Sequence, residues 1–349
     1  MKSQRILRAL PFIAMAAVVV ADLMVGPTLV FLPLLTLGPA FASVSGGVRR
    51  TAVVGGLSLA LYVPLVAYDH LLGRPQNTLT MASIVGVTGA SMLASRLRTG
   101  RERELANVRL VAEAAQRVLL RPVPRGAGDV RVALSYTSAA AEAQIGGDLY
   151  EVVITPEGVR LLIGDVQGKG LEAVETAAWV LGAFREAAYD QAELLGVAER
   201  LEASLARHLS GEKFVTAILA EVHDHEISLL NCGHPAPLVL SRDGGIRLAE
   251  PPEEAAPLGL VELGSPRPKP YGIPFEDGDQ ILLYTDGVVE ARDRQGTFYP
   301  LEERARLLRA PDPQVALDEL RADLLRHVGG PVPDDAAMLL LRRNPAHRL

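Results

Sequence analysis

Asp148, Asp165, Asp286, Asp334 and Asp335 stand at the ends of short apolar runs, in the stretches IGGDLYE, GDVQGKG, YTDGVVEARD and PDDAAMLLL. Acids at strand ends in turn-rich contexts suit a hard cation held by carboxylates, a backbone carbonyl and water. A single Asp-Gly is otherwise an ordinary turn, so convergence is what would make chemistry. The segment AQIGGDLYEVVITPEGVRLLIGDVQGKG supplies a physical reason to expect it. Two β-favouring runs flank Thr-Pro-Glu-Gly, a hairpin signal. A turn centred on Pro156-Glu157 pairs residues whose numbers sum to 313, which sets Asp148 opposite Asp165. Like charges directly opposed across strands are destabilising, and at a partly buried pair one pKa is raised. A divalent cation removes the conflict.

The elements that must gather these acids are short. Strands are expected at 130–136, 149–155, 159–163, 215–222, 226–230, 237–240, 280–284 and 337–341, and helices at 171–189, 192–209 and 313–328. Strands joined by tight turns imply antiparallel sheets, hence an α+β layered domain rather than a doubly wound one.

The first hundred residues are of another kind. They hold two acids, Asp22 and Asp69, against eight Lys and Arg, a net +6, whereas the remainder has 39 acids and 27 bases, a net −12. Four apolar stretches, 6–25, 28–44, 51–67 and 79–94, approach the ~17–25 residues a helix needs to cross hydrocarbon. Breaks fall at Gly26-Pro27, Ser45-Gly46-Gly47 and DHLLGRPQN. Basic groups at Lys2/Arg5/Arg8, Arg49/Arg50 and Arg96/Arg98/Arg101/Arg103 alternate sides as the positive-inside tendency asks, with only Arg74 outside. A signal peptide would account for the first stretch alone. The expectation is a multi-pass region of four transmembrane helices over 1–98 in the cell membrane, with both ends and the downstream domain in the cytoplasm.

A linker follows over 99–125, ended by Pro122 and Pro124. Leu105, Val108, Ala112, Ala115 and Leu119 follow a 3-4-3-4 spacing, the seam of a helix that packs on a partner. That seam would serve a homodimer or pack on its own domain. The acidic soluble part argues against nucleic acid, which wants a basic face. The single cysteine, Cys232, excludes an internal disulfide framework and suits a reducing compartment.

Other chemistries fit the motifs less well. In GDVQGKG three residues, not four, separate Gly164 from Gly168, and Gly170 follows the lysine, so a nucleotide P-loop fails. His223, His225, Cys232 and His234 lack the spacing of a structural zinc site. His234 is either structural or near the cleft, and Trp179 is expected in the core.

Six motifs in order, IGGDLYE, GDVQGKGLEA, FVTAILAEV, NCGHPAPLVL, GDQILLYTDGVVEARD and DDAAMLLL, resemble the metal-dependent protein phosphatase (PPM) family in its bacterial SpoIIE-like branch. The resemblance covers 130–342 and suggests a phosphatase domain over 126–345. It implies a β-sandwich flanked by helices in α-β-β-α layers, with two Mn²⁺ or Mg²⁺ ions in a cleft at one edge. Carried over by motif, Asp165 would bridge both ions and the carbonyl of Val166 would bind one. Asp286 and Asp334 would hold the second, and Asp148 would support the site through water or a further contact. The part of Asp335 is not separable from that of Asp334. Asp165 and Asp286 would be the catalytic pair.

The chemistry so implied is hydrolysis of phosphoserine or phosphothreonine by a metal-activated water. The implied substrate is a regulatory protein, a phosphorylated anti-sigma-factor antagonist. A membrane-tethered binding module without turnover is the alternative. Two departures from the family pattern are visible. No phosphate-binding arginine lies in AQIGGDLYE, which leaves phosphate capture to the ions and Lys169, and Ala337 stands where a Thr or Ser is frequent.

Overall fold

A computed structural model describes residues 2–25, 31–68, 75–138, 146–156, 158–208, 213–260 and 266–344. Two compact units divide the chain, Met1–Asn107 and Val108–Leu349.

In the first unit, α1 (Lys2–Val25) is followed by a 3-10 segment (Leu32–Thr36), α2 (Leu37–Ser45), α3 (Val48–Tyr68) and α4 (Pro75–Leu119), whose last turns enter the second unit. Met15, Leu35, Val54, Tyr62 and Ile84 form its buried seam. Large apolar side chains such as Ile13, Leu23, Val53, Val63, Leu79 and Leu93 face outward, a surface that water disfavours. Among the described residues three helices are long and apolar enough to cross a membrane: Leu7–Val25, Val48–Tyr68 and Pro75–Leu119. The stretch expected as the second span, 28–44, is not among these three. The described part of that stretch forms five 3-10 residues, Leu32–Thr36, and leads into nine α-helical ones, Leu37–Ser45. They rise roughly 24 Å, short of the ~30 Å of hydrocarbon. Pro33 and Pro39 account for the irregularity, since each lacks the N–H that a continuous helix needs. The expected breaks at Gly26-Pro27 and at 69–74, with Asp69 and Arg74, lie outside the described residues.

The second unit is a sandwich. Its strands are β1 (Gly126–Ala127), β2 (Val130–Thr137), β3 (Asp148–Thr155) and β4 (Gly158–Val166), then helices α5 (Leu171–Asp190) and α6 (Leu194–His208). There follow β5 (Val215–Val222), β6 (Glu226–Cys232), β7 (Leu238–Leu240), β8 (Ile246–Leu248), β9 (Tyr271–Pro274) and β10 (Gln280–Tyr284). Three helices, α7 (Asp286–Val289), α8 (Leu301–Arg304) and α9 (Pro313–Val328), precede β11 (Ala336–Arg343). One sheet runs β1-β2-β11-β10-β7-β8 and the other β3-β4-β5-β6-β9. The pairings between these strands are antiparallel.

Three buried layers hold it together. Leu161 and Ile163 of β4 meet Ile281, Leu283, Leu339 and Leu341 between the sheets. Leu162 and Val166, on the other face of β4, lie under Val180, Leu181 and Phe184 of α5. Leu282, Met338 and Leu340 lie under Leu317, Leu320 and Leu324 of α9. Strands covered on both faces read as nearly continuous apolar runs, which is why LLIGDV and ILLY look as they do. Helix α9 is capped by Asp312, whose side chain accepts from Gln314 N and Val315 N, and it stops at Gly329 in the left-handed region. Trp179 corrects the core expectation: it is half-buried and makes an edge contact with His208.

Candidate metal centre

The β3–β4 hairpin pairs Asp148 with Asp165, Thr155 with Gly158, and each residue between in the same register. Glu157, at the turn, lies outside the described residues. This register brings two carboxylates to the open end of the hairpin. Asp286 lies two residues past the end of β10, and Asp334 and Asp335 immediately precede the first residue of β11. Since β10 and β11 are paired, with Tyr284 opposite Met338, their acids reach one end of the facing sheet.

Burial and repulsion act on this group together. Asp148 is 3% exposed, and burial followed by the Asp165 charge pushes its carboxyl well up. Asp165 is raised to about 7 by burial, with Asp286, Asp334 and Asp335 adding to it and Lys169 opposing. Asp286 is raised by burial, then by Glu290 and Asp334. Carboxylates held this close repel as they ionise, and a dication relieves the repulsion.

Individual side chains are fixed by neighbours. The Thr285 hydroxyl donates to Asp148 Oδ2 at 2.7 Å and accepts from Ala337 N at 2.9 Å. The hydroxyl that Ala337 lacks thus comes from Thr285, just past the end of the adjacent β10. The structure also separates Asp334 from Asp335. Asp334 is half-exposed and takes the Lys169 ammonium, 2.9 Å from each of its oxygens. Asp335 is 2% exposed and accepts from the Tyr136 hydroxyl, which in turn accepts from Gln116 Nε2 at 2.8 Å.

His234 ties the two sheets behind the acids. Its Nε2 donates to the carbonyl of Tyr284 at 3.1 Å, leaving Nδ1 to accept from the Thr216 hydroxyl at 2.9 Å. Burial lowers its pKa to about 4, so it is a neutral strut. Cys232 is buried and its thiol is pushed up, while His223 and His225 lie where β5 turns into β6.

Whether these residues fit a dication is tested by the backbone around them. A side-chain carbon at Gly147 would collide with the carbonyl oxygen of Val166 and lie 2.8 Å from Asp165 Oδ1. One at Gly146 would stand 2.5 Å from the Asp335 carboxylate, and one at Gly287 would strike the Asp335 carbonyl. The glycines therefore leave open the space in front of the oxygens, and the donor set is of hard oxygens, as Mg²⁺ and Mn²⁺ prefer. The residues fit. As the side chains stand, no three Asp, Glu, His or Cys among the described residues form a ready-made ligand set, and the cation facing Asp334 is Lys169.

The sequence pattern of the family described as Stage II sporulation protein E (SpoIIE) matches residues 155–344, more than half of the chain. The chain belongs to the SpoIIE family. Of the acids, Asp165, Asp286, Asp334 and Asp335 lie within the matched span and Asp148 just before it. The SpoIIE-family domain is 24% identical over 211 residues to phosphoserine phosphatase RsbU of Bacillus subtilis, covering 57% of this chain. The match spans 60% of that relative's length.

Solved structures give the same fold, of PPM (PP2C) type. The RsbU and RsbW domains of a Mycobacterium tuberculosis protein match at 27% identity and TM-score 0.51, over 62% of this chain and 60% of that one. The SpoIIE phosphatase domain of Bacillus subtilis matches at 15% and 0.52, over 62% and 64%. The SiaA-PP2C domain of Pseudomonas aeruginosa matches at 17% and 0.57, over 70% and 98%. The α-β-β-α reading of this SpoIIE-family chain is thereby confirmed.

Sequence reasoning missed Thr285, Tyr136 and Gln116 as supports of the acids. Thr285 carried a signal, its place beside Asp286. Tyr136 alternates like any strand residue and Gln116 sits on a helix about 30 residues before Gly146, so neither carried one.

Proposed function

We propose that this chain is a membrane-anchored, metal-dependent protein phosphatase acting on phosphoserine or phosphothreonine. The observation that carries it is the gathering of five aspartates from three distant segments at one mouth of a SpoIIE-family sandwich, faced by glycines that leave their oxygens open. Asp165 and Asp286 are its catalytic acids. Asp148, Asp165, the Val166 carbonyl, Asp286, Asp334 and Asp335 would hold Mn²⁺ or Mg²⁺, two ions in number. When bound, such ions neutralise a phosphate dianion and lower the pKa of a water. The chain's own contribution is placement. Thr285 orients Asp148, Tyr136 orients Asp335, and Lys169 stands at the rim, where its ammonium can pass from Asp334 to an incoming phosphate.

In this reading residues 1–98 lie in the membrane, 99–125 form the signalling helix, and 126–345 form the cytoplasmic phosphatase. The outward apolar side chains of the first unit support anchoring. The substrate proposed is a phosphorylated anti-sigma-factor antagonist. Support comes from the relative named phosphoserine phosphatase RsbU and from the solved protein in which an RsbU domain accompanies an RsbW domain.

A second reading, a membrane-tethered binding module without turnover, is favoured by one observation, the Lys169–Asp334 pair in place of a ready-made ligand set. Hydrolysis of p-nitrophenyl phosphate by the purified full chain decides between them. Manganese-dependent activity is expected, abolished by EDTA and reduced more than ~100-fold by Asp165→Asn. An inert wild type with manganese bound would establish the second reading.

A further inference from the structure

At the far end of the strands that carry the acids lies a cavity of about 680 Å³ lined by five arginines against two aspartates. This is a basic site in a soluble part whose net charge is −12 (39 acids, 27 bases). Its floor is a single row across the sheet. Arg131 of β2 pairs with Arg342 of β11, and Arg342 pairs with Gln280 of β10. Paired residues project to the same face, and like charges directly opposed are destabilising unless something of opposite sign lies between or above them. Arg131 reaches Asp312, and Arg342 Nη1 donates to the carbonyls of Ala310 and Pro311 at 3.0 and 2.9 Å. These contacts satisfy part of each guanidinium and neutralise one charge.

The rest of the cavity points to a ligand. Among the described residues Arg309 extends one long contact, 3.2 Å, to the Gly244 carbonyl. The Arg242 guanidinium has no hydrogen-bond or ion-pair partner among the described residues, although its backbone N–H is anchored on Asp279. Gln280 is 5% exposed, yet its Oε1 is buried without a partner among the described residues. A buried acceptor left unpaired costs free energy, which a phosphate oxygen cannot relieve but an N–H or O–H of a ligand's organic part can. Ile246, 37% exposed on β8, adds an apolar wall.

We propose that this cavity binds a small, multiply charged phosphate ester of about nucleotide size, distinct from the phosphoprotein treated at the acidic mouth. Guanidinium forks match phosphate oxygens in bidentate geometry. The volume lies within the roughly 300–1,000 Å³ of small-molecule sites. Ile246 covers the organic part.

Calorimetric titration of the full chain in detergent, with EDTA to keep metals away, tests this with ATP as the probe. ATP is expected to bind, more weakly as salt rises, and Arg242→Gln together with Arg309→Gln is expected to weaken it by ~10-fold or more. Asp165→Asn should leave it unchanged. Where the double variant melts differently from wild type, Arg242→Glu, which breaks no side-chain hydrogen bond or ion pair among the described residues, carries the comparison. Absence of ATP binding, or binding that survives the arginine substitutions, overturns the proposal. Loss on Asp165→Asn would return the ligand to the acidic mouth and overturn it equally. Inorganic tripolyphosphate should bind more weakly than ATP, and equal binding would overturn the assignment to an ester.

Discussion

Asp165 and Gly147 make opposite contributions to one small space, a charge and an absence. Gly147→Ala places a methyl group against the Val166 carbonyl and 2.8 Å from Asp165 Oδ1. Manganese affinity measured by calorimetry should fall at least ~10-fold, and the melting temperature should fall with it, because the methyl group meets the Val166 backbone as well as standing in front of the ligands. Tyr136→Phe, which takes the donor from Asp335, should lower the same affinity by ~10-fold. Asp165 also has a pH signature. Its carboxyl is raised to about 7, above the ~3.9 of an unfolded chain. The metal-free fold therefore binds the extra proton, and that contribution, complete below the unfolded value, is lost as pH climbs through about 7. In EDTA the wild type should lose melting temperature relative to Asp165→Asn between pH 5 and 8. Parallel curves would remove Asp165 from the repelling group.

At the scale of elements, the hairpin register places the acids and α5 holds the motif that follows them. Arg160 of β4 is 1% exposed and pairs with Glu221 of β5 at 2.9 Å. It also donates to the carbonyls of Ala188, Gln191 and Ala192, pinning the end of α5 to the sheet. Arg160→Met leaves Glu221 buried and unpaired, which should destabilise residues 108–349 by about 3–5 kcal/mol in urea unfolding. Adding Glu221→Leu should recover much of that loss. The last turns of α4 meet the same helix: Ala112 packs on Val174, with Ala115 and Leu119 alongside. Arg185 of α5 donates to the Leu119 carbonyl at 2.7 Å and to Glu151 at 2.6 Å. The lower half of the 3-4-3-4 seam is thus spent within its own domain, while Leu105 and Val108 are exposed.

Over the whole molecule, charge and hydropathy divide the work. The first unit carries basic residues and outward apolar faces, the second a net acidic surface with opposite ends of one sheet given to acids and to arginines. On membrane fractionation the full chain should sediment with membranes and resist alkaline extraction, whereas residues 108–349 should stay in the supernatant. Extraction of the full chain at high pH would count against spanning helices, since burial of their apolar length holds them in hydrocarbon.

Much was legible beforehand because it is written locally. Alternation and apolar runs located most of the strands and the three long helices of the domain, and a two-residue turn determined which aspartate faces which. Short strands such as Ile246–Leu248, and Tyr271–Pro274 with its glycine and proline, have too few residues to show a period. The 3-10 segment Leu32–Thr36 within the second apolar stretch was hidden because hydropathy counts residues and not rise. Contacts between distant segments were decided only in three dimensions: Tyr136 on Asp335, Thr285 on Asp148, and an arginine row opposite the acids. Each depends on which strands become neighbours, and strand order is set by packing across the sandwich, which no stretch of sequence contains by itself.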